Sequence, residues 1–297
     1  TTAGQNSEAM LFFKKEVEAK QEFLQYWISY ILILIELRQS EDAGKALLEA
    51  RKKGLDDPSF QELNSRISGA SNSEEKPESS KGIENVLELY NQGKLDESLK
   101  AGEKILPENP HSFELLNVIG VVSAKLNRLE NAAEYIEKAL SLKPEFIDGY
   151  NNLGNIYQQG KRFDQAIESY KKGITLDPLS ANLHNNLGCV MKEIGRMDSA
   201  IQAFQKAIEL RPEHAEAFNN MGLAYKISGD LEAAIQNYSE AIRLKKDFAE
   251  PHNNLGVVYQ EKGELPAAIN SFEKAIALVP NHGEALVNMG VALQSIG

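Results

Sequence analysis

Carboxamides recur at fixed spacing through the second half of this chain. Asn117, Asn151, Asn185, Asn219 and Asn253 stand 34 residues apart, and Asn152, Asn186, Asn220, Asn254 and Asn288 form a second series with the same spacing. A third series, almost wholly acidic, runs Glu114, Asp148, Asn182, Glu216, Glu250 and Glu284. A side-chain amide offers two N–H donors and a carbonyl acceptor, which suits it to clamp the backbone of an extended peptide whatever its side chains. Acidic residues beside it favour segments that carry Lys, Arg or hydroxyls. Asparagine is also disfavoured inside helices by up to roughly 0.7 kcal/mol per site relative to Ala. Ten of them cost about 5–7 kcal/mol, close to the whole stability of many domains at ~5–15 kcal/mol. Something must offset that. Either a polypeptide lies against the amides, or they bond between adjacent helices or cap a first turn. The binding reading is the favoured one.

The elements that position these rows come from a 34-residue unit whose clearest copy is Ile147 to Pro178. With Ile147 as position 1, position 8 is Gly120, Gly154, Gly188, Gly222, Gly256 and Gly290. Position 20 is Ala132, Ala166, Ala200, Ala234 and Ala268, and position 24 is Ile136, Tyr170, Phe204, Tyr238 and Phe272. Small residues at 8 and 20 let two helix backbones approach, and the bulk at 24 fills the space they leave. Pro110, Pro144, Pro178, Pro212 and Pro280 at position 32 read as the stop of a second helix. Neither helix can cover its own apolar face, so the units must stack into a solenoid. Helical periodicity puts positions 2, 5, 6, 9, 12 and 13 on a face apart from the packed positions 4, 7, 8 and 11.

At these offsets the chain resembles the tetratricopeptide repeat family over roughly residues 83–297. The resemblance implies an all-α, right-handed superhelical solenoid whose concave inner face carries the amide rows. It implies six repeats, the first weak, and a terminal half repeat. The departures are local: Lys246 stands where Pro is expected, Ser123 replaces the bulk of position 11, and Gly160 falls one residue before the turn glycines Gly195, Gly229 and Gly263. In the opening repeat Val86 occupies the glycine position and Gly102 the bulky one. The position 6 asparagines and position 2 acids also resemble the inner ladder of O-linked N-acetylglucosamine transferases, in which such a ladder holds the protein substrate. No glycosyltransferase motif is present. Family members that clamp a chaperone's terminal carboxylate use Lys and Arg on this face, and here only Lys192 and Lys226, at position 12, supply cations.

The remaining chemistry is sparse. A net charge of -11 argues against a nucleic-acid partner, since phosphate binding needs a gathered basic surface. No metal or cofactor site, phosphate loop or nucleophile elbow can be read from the motifs. His184 and His252 share position 4 two repeats apart, too far to share a metal. His111, His214 and His282 fall in turns and are expected to be solvated. The single cysteine, Cys189, excludes an internal disulfide framework and fits a reducing, cytoplasmic compartment.

Residues 8–67 read as a separate N-terminal helical module with one degenerate repeat, in which Trp27, Ala43, Leu47 and Ala50 take positions 4, 20, 24 and 27. Within it, helices are expected over 8–20 and 58–67. The run 23–37 is too short to span a membrane and apolar enough to need cover on every side, from flanking helices or from a second chain in a homodimer. Residues 68–82 read as a flexible linker and 83–297 as the array. The half repeat at the end suggests a longer parent protein. Three functions follow as expectations: a non-catalytic scaffold binding an extended peptide, the substrate-recruiting region of a larger transferase, or a self-assembling scaffold.

Overall fold

The computed structural model describes residues 14, 24–37, 39–53, 55, 60, 63 and 78–296. Its contacts divide the chain into two units, Thr1–Glu84 and Asn85–Gly297. Among the described residues every regular element is a helix.

In the first unit, α1 (Leu24–Glu36) and α2 (Ser40–Lys52) form a hairpin. Trp27, Ala43, Leu47 and Ala50 are all buried in one cluster with Ile31, Leu34, Phe60 and Leu63. The other apolar side chains of α1, such as Ile28, Tyr30, Leu32 and Ile35, are half-buried against that cluster. The helices expected over 8–20 and 58–67 lie outside the described residues, save Lys14, Phe60 and Leu63.

The second unit contains the C-terminal half of α3 (Glu78–Asn91), then α4 (Leu95–Ile105), a 3₁₀ turn (Leu106–Glu108), α5 (Phe113–Lys125) and α6 (Leu129–Leu142). It continues through α7 (Ile147–Gln159), α8 (Phe163–Leu176), α9 (Ala181–Glu193), α10 (Met197–Leu210), α11 (Ala215–Ser228) and α12 (Leu231–Leu244). The last elements are α13 (Ala249–Glu261), α14 (Leu265–Leu278) and α15 (Gly283–Ile296). Helix α3 begins at Glu78, five residues earlier than the array was expected to open.

Small residues decide where the paired helices meet. A Cβ added at Gly188 would lie 2.6 Å from the Phe204 ring, and one at Gly222 would lie 2.8 Å from the Tyr238 ring. Both rings are fully buried, each contributing about 1.5–3 kcal/mol of apolar burial. The opening repeat exchanges sizes instead of leaving a hole. Val86 is fully buried at the usual glycine position, and Gly102 sits where a Cβ would lie 2.7 Å from Ile119 Cγ1.

Two sequence expectations about helix ends are corrected. The second helices end at Leu142, Leu176, Leu210, Leu244 and Leu278, so α12 stops in register although Lys246 replaces proline. Lys245 turns to an extended conformation and still bonds Ala241 O, so proline tolerates the stop without causing it. In the turn after α7 the left-handed residue is Lys161, at φ 56°, and not Gly160. It occupies the place that Gly195, Gly229 and Gly263 fill at φ 77–85° and Asn127 at φ 59°.

Candidate functional site

The two asparagine rows meet across the repeat boundaries. Asn152 Nδ2 donates to Asn117 Oδ1 at 2.9 Å, and Asn186 Nδ2 donates to Asn151 Oδ1 at 2.9 Å. The pattern continues from Asn220 to Asn185 at 3.0 Å, Asn254 to Asn219 at 3.0 Å and Asn288 to Asn253 at 3.1 Å. Each position 6 amide thus ties its first helix to the preceding one. The position 5 residues sink into the seam, where Asn185, Asn219 and Asn253 are buried. Their neighbours at position 6 stay half-buried.

This pairing changes the energetic argument. Five inter-helix bonds contribute about 0.5–1.5 kcal/mol each. The sum, ~2.5–7.5 kcal/mol, is comparable to the ~5–7 kcal/mol that ten asparagines cost the helices. A bound polypeptide is no longer required to explain them. At position 5 the buried Asn185, Asn219 and Asn253 are taken up by the seam, their carbonyls accepting from the next repeat, while Asn117 and Asn151 stay half-buried.

What the ladder leaves open is the other half of position 6. The Oδ1 atoms of Asn152, Asn220, Asn254 and Asn288 have no hydrogen-bond partner among the described residues, and these side chains keep partial exposure. Asn186 Oδ1 receives Asn185 Nδ2 at 3.3 Å. The first-helix face therefore presents acceptors at the spacing of the repeat.

Position 9, which helical periodicity placed on the same face, runs beside the ladder. Asn155 Oδ1 accepts from the Tyr170 hydroxyl at 2.7 Å and from Asn186 Nδ2 at 3.4 Å, while Cys189 Sγ accepts from Asn220 Nδ2 at 3.4 Å. Tyr170 was read as bulk alone, yet its hydroxyl also lies 3.2 Å from Gln158 Oε1, a second acceptor for its one proton. Burial pushes the Cys189 thiol up despite the opposing Lys192 ammonium, so it is not an activated nucleophile. Two shallow depressions share Asn155 and Gln159. One, of 290 Å³, is lined by Val121, Lys125 and Asn152 among others, and the second, of 360 Å³, by Gln158, Lys161 and Glu193.

The acidic row lies exposed at the start of each first helix. Glu114 accepts from Ser112, and Glu216 is held by Lys245 at 3.2 Å and by His214 at 3.3 Å. Burial pushes the Glu216 carboxyl up, but its own backbone N–H and the Lys245 ammonium outweigh that and hold it below the usual value. Asp148, Glu250 and Glu284 are exposed and have no side-chain partner among the described residues. Of the two candidate cations, Lys226 pairs with Glu261 at 3.2 Å, and Lys192 lies half-buried beside Cys189. His214 is not solvated as expected: it is 7% exposed, and its Nε2 has no partner. His282 Nδ1 instead accepts from Ala285 N at 3.3 Å at the start of α15. Among the described residues no cluster of His, Cys, Asp and Glu could hold a metal ion, and no helix is long and apolar enough to cross a membrane.

Comparison with known proteins agrees with this geometry. Tetratricopeptide repeat models match residues 113–146, 147–178 and 249–282, and a TPR repeat model matches 190–227 and 224–263. No curated protein matches the sequence. Among solved structures, the APC/C hetero-tetramer Cut9-Hcn1 is similar with a TM-score of 0.64 at 19% identity, over 97% of this chain and 52% of that one. PilW, a type IV pilus biogenesis factor, is similar with a TM-score of 0.64 at 18% identity, over 71% of this chain and 98% of that one. MamA is 31% identical over 54% of this chain and 94% of its own, with a TM-score of 0.48. The in-register glycines, alanines and aromatics, the helix pairs they lock and the family models together show that this chain belongs to the tetratricopeptide repeat family.

Proposed function

We propose that the array is a protein-interaction scaffold that receives an extended polypeptide segment along its first-helix face. The observation that carries this reading is the row of position 6 carbonyls left open by the ladder. Each is fixed in direction by the bond its own amide nitrogen makes, so little side-chain entropy is lost when it accepts a backbone N–H. Extended polypeptide supplies such N–H groups in a line. The exposed acids Asp148, Glu250 and Glu284 along one margin add a preference for Lys and Arg in the segment.

The test uses peptides selected from a random displayed library against the folded protein. Their affinity is then measured on Leu223→Arg with Gln260→Arg, which crowds positions 9 and 12 of the face. A control, Glu168→Ala with Lys172→Ala, removes an exposed ion pair on a second helix. The reading expects the first variant to lose binding by at least about tenfold and the control to retain it. Loss in the control, with the first variant unaffected, contradicts it.

A further inference from the structure

The first-helix face changes chemistry along its length. At position 9 the residues are Leu87 and Val121 in α3 and α5, Asn155 and Cys189 in α7 and α9, then Leu223, Val257 and Val291 in α11, α13 and α15. Ile227, one turn beyond Leu223 on the same helix, is 54% exposed, where α7 has Gln159. Three consecutive aliphatic residues at position 9 therefore occur only from α11 onward. Because Asn155 contacts Asn186 and Cys189 contacts Asn220, position 9 flanks the next repeat's position 6 amide. By the same register Leu223 flanks Asn254, and Val257 flanks Asn288.

Three features of this half have to be met by one occupant. Aliphatic side chains recur once per repeat, an open amide carbonyl recurs beside them once per repeat, and Glu250 and Glu284 stand exposed and unpaired at the margin. Helices in contact are spaced ~8–10 Å apart. Polyproline II advances about 9.3 Å per turn of three residues and leaves its backbone N–H groups unbonded. A β-strand repeats its side-chain direction every two residues, about 6.7 Å, and falls out of step within one repeat.

We propose that the α11–α15 half of the groove binds a polyproline II segment with one aliphatic side chain every third residue and Lys or Arg between them. This rests on the groove reading above and specifies its occupant. One aliphatic side chain per turn packs on Leu223, Val257 and Val291. One backbone N–H per turn donates to Oδ1 of Asn254 and Asn288, and the basic side chains face Glu250 and Glu284.

The probes are two acetylated twelve-residue peptides of the same composition. One is four copies of Leu-Pro-Lys, and the other is two copies of Leu-Lys-Leu-Pro-Lys-Pro, which breaks the every-third register. Fluorescence anisotropy on the full chain measures both. The expected result is about tenfold tighter binding of the first peptide. That preference is lost in Leu223→Asn with Ile227→Gln, which copies the residues of α7, while the second peptide's affinity stays as it was. Equal affinity of the two peptides, both weakened by Leu223→Arg with Gln260→Arg, overturns the register and leaves the groove reading standing. Binding of neither peptide, or binding that the groove substitutions leave untouched, overturns the inference. In the untouched case the groove reading falls with it.

Discussion

Single atoms left without partners set the expectations at the residue scale. Ser123 is 1% exposed and its hydroxyl bonds nothing among the described residues, where other repeats place Tyr157, Met191, Tyr225 and Tyr259. Ser123→Ala should therefore stabilise the protein by roughly 1 kcal/mol in urea unfolding, since it removes a buried polar group without opening much space. His214 is held below its ordinary value of 6.5, chiefly by burial and then by Arg211. A base whose folded value is depressed contributes stability above its unfolded value, and that contribution is lost as pH falls. Stability should drop as pH falls through and below 6.5, and His214→Gln should flatten that part of the slope. The sequence placed His214 in a turn, which is where it lies. Its burial was illegible, because the cover comes from residues that folding brings over it.

At the scale of the helix pair, packing and turn geometry explain why some departures from the repeat pattern matter and others do not. Gly222→Ala should cost about 1–3 kcal/mol because its Cβ would meet the Tyr238 ring. Gly290→Ala should be neutral or stabilising by up to ~1 kcal/mol, because nothing stands within 4 Å of the added carbon. The pair of thermal melts separates close packing from mere recurrence of glycine. Lys161→Gly should stabilise by up to about 1 kcal/mol by relieving a lysine held at φ 56°. Helix existence, register and size exchange between Val86 and Gly102 were all legible, since each follows from residue volume at a fixed offset. The stop of α12 was not, because a proline that accompanies most helix ends looks like their cause.

Across the whole array the ladder makes each repeat depend on its neighbour, as expected of a quasi-one-dimensional solenoid. The rows were legible as rows. Their roles were not, because position 5 and position 6 are adjacent in sequence, and only the stagger between neighbouring first helices tells which amide enters the seam. The account therefore stands on Asn185 and Asn220 being partners rather than two separate contacts to a ligand. A double-mutant cycle in urea tests this most directly. Asn220→Ala leaves Oδ1 of the buried Asn185 unsatisfied and should cost up to about 1–3 kcal/mol, less the ~0.7 kcal/mol that Ala returns to the helix. Adding Asn185→Ala should recover much of that loss, giving a coupling energy on the order of 1–2 kcal/mol. Strictly additive effects, with both single variants as stable as the parent, would contradict the seam.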